Sequence, residues 1–312
     1  MKKCMVLVSM LLIAASLRVY SEEIKFSGYL QTEIGYDWSK PSDETTNFKI
    51  HRARLKALKS VTGKTDVILM ADFADTLHKD STLEDKGNLL LEALAESRLC
   101  SCLTARMGQF KVPFGVEGYE SSAGLLFVNK GYVTDAIFSD YDIGLEFNGN
   151  LKAGENEKFA YWALGIFNGN GRNASDNNKN KDVVARLKVM PLKSLEAGVS
   201  LQYANKDSVQ RKYGIDLRYS CKPFLVLAEF MGQNLDESYG FYATGAYSVN
   251  DTIDVLARYD YLNVASDCTS RVTLGCTLNF SKFTRLQANY EIKGEQSAEM
   301  NDLFVTQLQV KF

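Results

Sequence analysis

Apolar and polar side chains alternate along most of this chain, in segments of about ten residues. Between residues 24 and 37 the even positions are mostly apolar and the odd positions mostly polar, and residues 271–278 repeat the pattern. Successive side chains of a strand point to opposite faces, so this period of two predicts strands with one apolar and one polar face. About sixteen such segments occur, at roughly 24–38, 46–60, 65–75, 88–98, 103–112, 141–151, 158–168, 182–190, 194–204, 211–220, 223–232, 238–248, 252–262, 269–279, 283–292 and 301–312.

The connections between these segments alternate between long polar stretches and tight turns. The long set is 39–45, 76–87, 113–140, 169–181, 205–210, 233–237, 263–268 and 293–300, and the short set includes VTGK at 61–64 and CK at 221–222. Long loops at one end and tight turns at the other are typical of outer-membrane barrels, whereas a soluble β-sandwich has no reason to sort its links in this way. The predicted fold class is therefore all-β, a transmembrane antiparallel β-barrel of about 16 strands.

Both ends of the chain fit an exported barrel. Residues 1–21 begin with a basic region, continue with an apolar core and end on small residues, which is typical of a cleaved secretory signal peptide. We therefore expect residues 22–312 to form the mature barrel in the bacterial outer membrane. The last segment ends on Phe312, an aromatic residue placed where the final strand would close against the first.

Charge and cysteine content narrow the functional classes. Residues 1–21 contain three of the 36 basic residues and none of the 38 acidic ones, so the mature chain has a net charge of about −5. This balance argues against nucleic acid as a partner. Of the five cysteines that remain, Cys100 and Cys102 lie two apart, but no histidine or second pair is near them in the sequence. We therefore predict no metal site and no cofactor.

One connection, residues 113–140, is much longer than the others. It is too apolar for a solvated loop and too irregular for a helix, and so long a loop usually has a function. In a transmembrane barrel such a segment can fold into the lumen and narrow it. We expect an inward-folded third long loop that limits the size and charge of the solutes.

Three blocks of the sequence resemble the phosphate-selective porin O and P family, at residues 48–73, 106–117 and 125–149. The family's strand with paired arginines is matched by Arg52 and Arg54. Its G-Q-F-K-x-P-F-G signature is matched by Gly108, Gln109, Phe110, Lys111, Pro113, Phe114 and Gly115. The resemblance is specific over residues 48–151 and continues as a general pattern over the rest of the chain.

This resemblance implies a sixteen-stranded outer-membrane channel, usually a homotrimer, through which small hydrophilic solutes diffuse passively. The implied partners are small hydrophilic solutes or anions, together with outer-membrane lipid. Two features depart from the family. Asn129 and Lys130 stand where Glu-Arg is common, which keeps a positive charge but loses the fork of arginine. In the third long loop, Lys130 is the one base against Glu117, Glu120, Asp135 and Asp140, so the family's name does not by itself identify the solute.

Several bases fall on the polar face of the strands or in the long loop, and the pore-lining or constriction candidates are Arg52, Arg54, Lys56, Arg106 and Lys130. One pair of charges attracts by only about 1 kcal/mol in water at 4 Å, so anion preference needs several bases at a narrow point. Alternatively, Asp66, Asp72 or Glu92 on the neighbouring strands neutralise these bases. Lys111 alternates to the outer face near the rim, where we expect a solvated interface charge.

The function predicted from these observations is passive diffusion through an outer-membrane porin, with a leaning toward anions. No catalytic residues are expected, because the chain has two histidines and no G-x-S-x-G motif. Two other classes stay open. One is an outer-membrane barrel with a closed lumen that acts as an adhesin or an enzyme, and the other is a secreted soluble β protein.

Overall fold

A computed structural model describes residues 23–38, 46–74, 89–154, 156–205, 209–234, 237–265, 267–294 and 302–312. The signal peptide predicted at residues 1–21 lies outside these ranges, as do the long connections 39–45 and 76–87. No helix among the described residues is long and apolar enough to cross a membrane.

Sixteen strands form in the described part of the chain, each antiparallel to its neighbours. They are β1 (Lys25–Asp37), β2 (Thr46–Thr62), β3 (Thr65–Asp72), β4 (Leu90–Cys100), β5 (Leu103–Lys111), β6 (Tyr141–Ala153), β7 (Asn156–Phe167), β8 (Asp182–Leu192), β9 (Leu195–Asn205), β10 (Val209–Cys221), β11 (Phe224–Gln233), β12 (Tyr239–Ser248), β13 (Ile253–Val264), β14 (Asp267–Asn279), β15 (Thr284–Gly294) and β16 (Leu303–Lys311). The predicted sixteen-stranded antiparallel barrel is confirmed.

The sheet closes because β16 pairs with β1, which leaves no free edge. In this pairing Tyr29 lies opposite Lys311 and Gln31 lies opposite Gln309. The backbones of Gly28 and Phe312 then exchange two hydrogen bonds, of 3.0 and 3.1 Å. The last residue of the chain therefore takes part in the closure.

The two faces of the barrel have opposite polarity. In β1, Leu30 is 41% exposed, whereas the adjacent Gln31 is 1% exposed. Apolar side chains thus point outward and polar ones inward, the reverse of a soluble protein and the arrangement that a lipid environment requires. The tight turns, such as residues 63–64 between β2 and β3, all lie at one end of the barrel, which we call the short-turn end.

The segment between β5 and β6, residues 113–140, lies inside the barrel, and we call it the inner loop. It contains one short 3-10 turn, Ser122–Gly124, and one helix, α1 (Tyr132–Ile137), which packs against β11, β12 and β13. The apolar side chains of the loop form the centre of a buried cluster with inward-facing residues of the wall. Its fully buried members include Phe114, Val133, Ile137 and Met231. The molecule therefore has its core inside the lumen rather than between layers.

Candidate functional site

A row of polar side chains on the wall holds the first half of the inner loop. Backbone carbonyls at residues 122–126 point at β1, β16 and β15, whose inward side chains are donors. The pairs are Gln31 with Ser122 at 3.4 Å, Gln309 with Ala123 at 3.3 Å, Arg285 with Leu125 at 3.0 Å and Gln287 with Leu126 at 2.8 Å. Because a buried carbonyl without a donor is costly, this row fixes the path of the loop.

Further along, a buried charge network binds residues 129–131. Arg258 of β13 has a fully buried side chain and donates to the carbonyls of Asn129 and Lys130 at 3.1 and 3.2 Å. Its guanidinium also meets Glu117 at 3.3 Å and Asp260 at 2.9 Å. Charges this deeply buried persist only when they are paired and hydrogen-bonded, so the network ties the loop firmly to the wall.

Glu117 is the member of this network that the loop itself contributes. One of its carboxylate oxygens accepts from the backbone N–H of Gly131 at 2.7 Å, and the other faces Arg258. Burial raises the pKa of Glu117 above its ordinary value, because removal from water disfavours the charged form more than Arg258 favours it. The carboxyl group therefore joins two distant parts of the loop to the wall.

The family signature turns the chain into the lumen. Phe110 packs edge-on against Phe167 with ring centroids 5.4 Å apart, and Phe114 is fully buried. Gly115 has a φ of +68°, a conformation that other residues rarely adopt, and its N–H donates to Ser200 at 3.1 Å. The next residue, Val116, donates to Glu229 at 2.5 Å. The glycine is thus placed where the backbone must approach the opposite wall.

Lys111 does not lie at the outer rim, so that prediction was wrong. Its amino group donates to the backbone carbonyls of Gly118 at 2.7 Å and Glu120 at 2.5 Å. It also lies 5.7 Å from the centre of the Tyr141 ring. Simple alternation fails at the end of β5 because the chain bends into the lumen immediately afterwards, and the lysine follows the loop rather than the sheet.

Four of the five constriction candidates have carboxylate partners. The pairs are Arg54 with Asp72 at 2.7 Å, Lys56 with Glu92 at 3.6 Å, Arg106 with Glu96 at 2.5 Å and Lys130 with Asp135 at 3.9 Å. The fifth candidate, Arg52, donates instead to the neutral Gln31 at 2.8 Å. Arg52, Arg54 and Lys56 thus share one strand face, as their spacing predicts, but they differ in how far they are neutralised.

Several other bases in the lumen were not among the candidates. Arg218 binds Glu120 of the inner loop, Arg285 binds loop and wall oxygens, and Lys311 lies in β16 opposite Tyr29 of β1. Alternation does place these residues on the polar face. Whether such a base reaches the inner loop, however, depends on contacts between residues about 100 to 160 positions apart in the chain, as for Arg218 and Arg285. The sequence carried no signal that would rank them above other inward bases.

A cavity of about 480 Å³ lies between the inner loop and the short-turn end. Its wall includes Tyr29, Arg54, Lys111 and Tyr141, and Tyr119 of the inner loop borders it. Tyr119 also borders a second cavity of about 480 Å³, which lies toward β7–β9 and includes Arg106 and Arg186. The inner loop therefore lies between two spaces in the lumen, each of which is bordered by cationic side chains.

Comparison with known proteins agrees with this architecture. A family model described as phosphate-selective porin O and P matches residues 26–223 of the chain. No curated protein matches it.

Several solved structures share the fold. OmpF of Salmonella typhi, in a complex with daunomycin, has a TM-score of 0.70 at 10% identity, with 94% of this chain and 99% of that one covered. An anion-selective porin from Comamonas acidovorans has a TM-score of 0.65 at 11% identity, with 93% and 99% covered. The outer-membrane channel DcaP of Acinetobacter baumannii has a TM-score of 0.64 at 10% identity, with 93% and 97% covered. With the family match over residues 26–223 and a closed barrel of sixteen antiparallel strands, the chain belongs to the phosphate-selective porin O and P family and is an outer-membrane porin for small solutes.

Proposed function

We propose that this porin passes small hydrophilic solutes by passive diffusion with a preference for anions. The observation that carries the proposal is a set of four cationic side chains in the lumen that form no ion pair in the described part of the chain. Among the described residues, no carboxylate forms an ion pair with Arg52, Lys111, Arg285 or Lys311. No carboxylate is therefore in direct contact with these four bases among the described residues.

The surroundings of two of these bases, Arg52 and Arg285, strengthen their effect. Gln31 accepts from Arg52 and also donates to Gln309 at 2.7 Å, and Gln309 accepts from Arg285 at 3.2 Å. Neutral amides thus connect two arginines across β1 and β16. A charge held beside amides in a narrow, partly dry space acts over a longer distance than one in bulk water. An anion passing along this wall would meet a positive potential.

The comparisons point the same way. The family is described as phosphate-selective, and one of the structures with the same fold is titled an anion-selective porin. For this chain the preference rests on Arg52 and the three bases named with it. The candidates Arg54, Lys56, Arg106 and Lys130 contribute less, because their carboxylate partners offset them.

We also propose export and assembly of the usual kind for a bacterial outer-membrane porin. Residues 1–21 would direct secretion and be removed, which leaves residues 22–312 as the mature barrel. A homotrimer is supported by the fold, since one similar structure, OmpT of Vibrio cholerae, is titled a trimer form.

The test is the reversal potential of single channels in a planar bilayer under a KCl gradient. We expect a reversal potential whose sign indicates anion preference. We expect Arg52→Gln and Arg285→Gln each to move this potential toward zero. Lys193→Gln is the matched control, because it removes the same charge from an exposed tight turn. Cation preference in the unmodified channel, or equal potentials in all variants, would reject the proposal. Absence of current from folded protein would favour the closed-lumen alternative.

A further inference from the structure

The cavity at the short-turn end has a lining that is both aromatic and cationic. Tyr29, Tyr141 and Tyr119 form much of its wall, and Met70 adds an apolar side chain. Five bases border the same space, against one carboxylate, and they are Arg54, Lys56, Lys111, Lys282 and Lys311, with Glu92 as the acid. A passage for simple hydrated ions has no need of so much aromatic surface.

Two buried tyrosines line this cavity. Tyr29 is 8% exposed and Tyr141 is 2% exposed, and both line the cavity. Neither hydroxyl oxygen has a hydrogen-bond partner in the described part of the chain. Buried hydroxyl groups are rarely left without partners, so two that border one cavity indicate a ligand with hydrogen-bond acceptors.

Each of these rings also has a cation over it. The Arg54 guanidinium lies 5.7 Å from the centre of the Tyr29 ring, and the Lys111 amino group lies 5.7 Å from that of Tyr141. Hydroxyl donors, cations and ring faces therefore converge on one space. A ligand that uses all three carries a negative group and a flat or apolar body.

We propose that this cavity binds organic anions in which a phosphate or carboxylate group is attached to an aromatic or apolar body. This rests on the anion preference proposed above and names the class of solute that the site selects. The anionic group meets the bases and the two hydroxyl groups, while its body covers the tyrosine rings and Met70. Inorganic phosphate lacks such a body, so water stays in contact with the apolar side of the cavity. It therefore binds less tightly.

The experiment measures block of single-channel current by phenyl phosphate added at the short-turn side, which faces the periplasm in outer-membrane barrels. Inorganic phosphate has the same anionic group without the ring, and phenol has the ring without the charge. We expect phenyl phosphate to block with an apparent affinity about tenfold or more above that of inorganic phosphate, since burial of a ring is worth at least that factor. Phenol is expected to have no effect in the same range.

Two variants test the residues. Tyr141→Phe and Tyr29→Phe keep the rings and remove the hydroxyl groups, and each should weaken block by phenyl phosphate about threefold to tenfold, the worth of one hydrogen bond. Tyr259→Phe is the matched control, because Tyr259 is 43% exposed on the outer face of β13. Each affinity is referred to the open current of the same variant.

Equal block by inorganic phosphate and phenyl phosphate would overturn the proposal, as would equal block by phenol. Unchanged affinity in both Tyr141→Phe and Tyr29→Phe would remove the site from this cavity and overturn it as well. The reversal potential separates the two proposals. Cation preference with selective block by phenyl phosphate rejects the general anion preference alone, whereas anion preference without selective block rejects the organic-anion site alone.

Discussion

Arg218 on β10 donates two parallel hydrogen bonds, each 2.7 Å long, to the carboxylate of Glu120 in the inner loop. From the other side, Lys111 donates to the backbone carbonyl of the same glutamate. Residue 120 is thus held between two walls of the barrel. The inner loop crosses the lumen at this point, and the crossing separates the two cavities near Tyr119.

Breaking the Arg218–Glu120 pair should loosen the crossing. Arg218→Gln or Glu120→Gln removes a bidentate, charge-assisted interaction that is partly exposed, so we expect a loss of about 1 kcal/mol in stability. The larger effect is on the current, because the inner loop becomes more mobile where it crosses the lumen. Single-channel recordings should show more open-state noise and a changed conductance.

Lys188 and Glu196 supply the control for this prediction. They form an ion pair of 3.0 Å between β8 and β9 with similar exposure, but neither is hydrogen-bonded or ion-paired with the inner loop in the described part of the chain. Lys188→Gln should leave the open-state noise unchanged. Equal noise in the Lys188 and Arg218 variants would show that the effect comes from lumen charge rather than from the loop.

Gly115→Ala should disturb the entry of the inner loop. The residue has a φ of +68°, and an added Cβ would overlap Met231 and Glu229. We expect a loss of roughly 2–4 kcal/mol, from the backbone conformation and from overpacking. Gly171→Ala is the control, since its φ is +78° but nothing lies near its Cβ position, and it should cost only about 1 kcal/mol. Equal denaturant midpoints for the two variants would contradict the packing argument.

Arg258→Met should be the most damaging of the wall substitutions. It leaves the carboxylate of Asp260 and the carbonyls of residues 129 and 130 with one donor fewer in a fully buried place. Removing one partner of a buried ion pair costs about 3–5 kcal/mol. Denaturant unfolding in detergent measures this loss. Arg211→Met, at an exposed position near the rim, should change stability by less than about 0.5 kcal/mol, and a comparable loss there would refute the reasoning.

Glu117 should make stability depend on pH. Its pKa in the folded protein is raised above the ordinary 4.5, so the folded state binds more protons than the unfolded state in the range above 4.5. Stability from this group is therefore lost as the pH rises through that range. Glu117→Gln does not titrate, so its stability relative to the unmodified protein should rise as the pH increases above 4.5. A constant difference in denaturant midpoint across this range would contradict the assigned burial effect.

Cys100 and Cys102 should form a disulfide within the turn between β4 and β5. Their sulfur atoms are 3.3 Å apart and exposed, and the other three described cysteines lie elsewhere. A small-molecule disulfide would oxidise the two thiols and be reduced to two thiols itself. Peptide mass mapping should show the loss of two hydrogen atoms from the peptide with both residues. Cys100→Ser should abolish the change, and a link to Cys221 instead would refute the prediction.

The strands and their faces were predictable because alternation is a local property. Leu30 faces lipid and Gln31 faces the lumen because adjacent side chains of a strand point to opposite faces. In a membrane barrel the polarity of the two faces differs strongly. The same holds for the shared face of Arg52 and Arg54. Lys111 did not follow the alternation, because the direction of its side chain depends on the path of the inner loop.

Residue pairs in the lumen were not predictable in the same way. Arg54 meets Asp72 because β2 and β3 pair in one register, which the tight turn at residues 63–64 sets. The sequence allowed two hypotheses for these bases, an unpaired charge that lines the pore or neutralisation by an acid of the neighbouring strand. Only the register of the strands decides between them. The contact of Arg258 with Glu117 joins positions 141 residues apart. No periodicity in the chain encodes such a distance.

The sequence by itself determined that the chain forms a barrel of about sixteen strands with an apolar outer face, a polar lumen and one exceptionally long loop between β5 and β6. These features follow from period-two patterning and turn chemistry, which act over a few residues. Only the tertiary structure decided which bases form no ion pair and which tyrosines line the cavity. Those properties arise where the inner loop meets distant strands, and electrostatic and hydrogen-bond energies depend on such distances rather than on position along the chain.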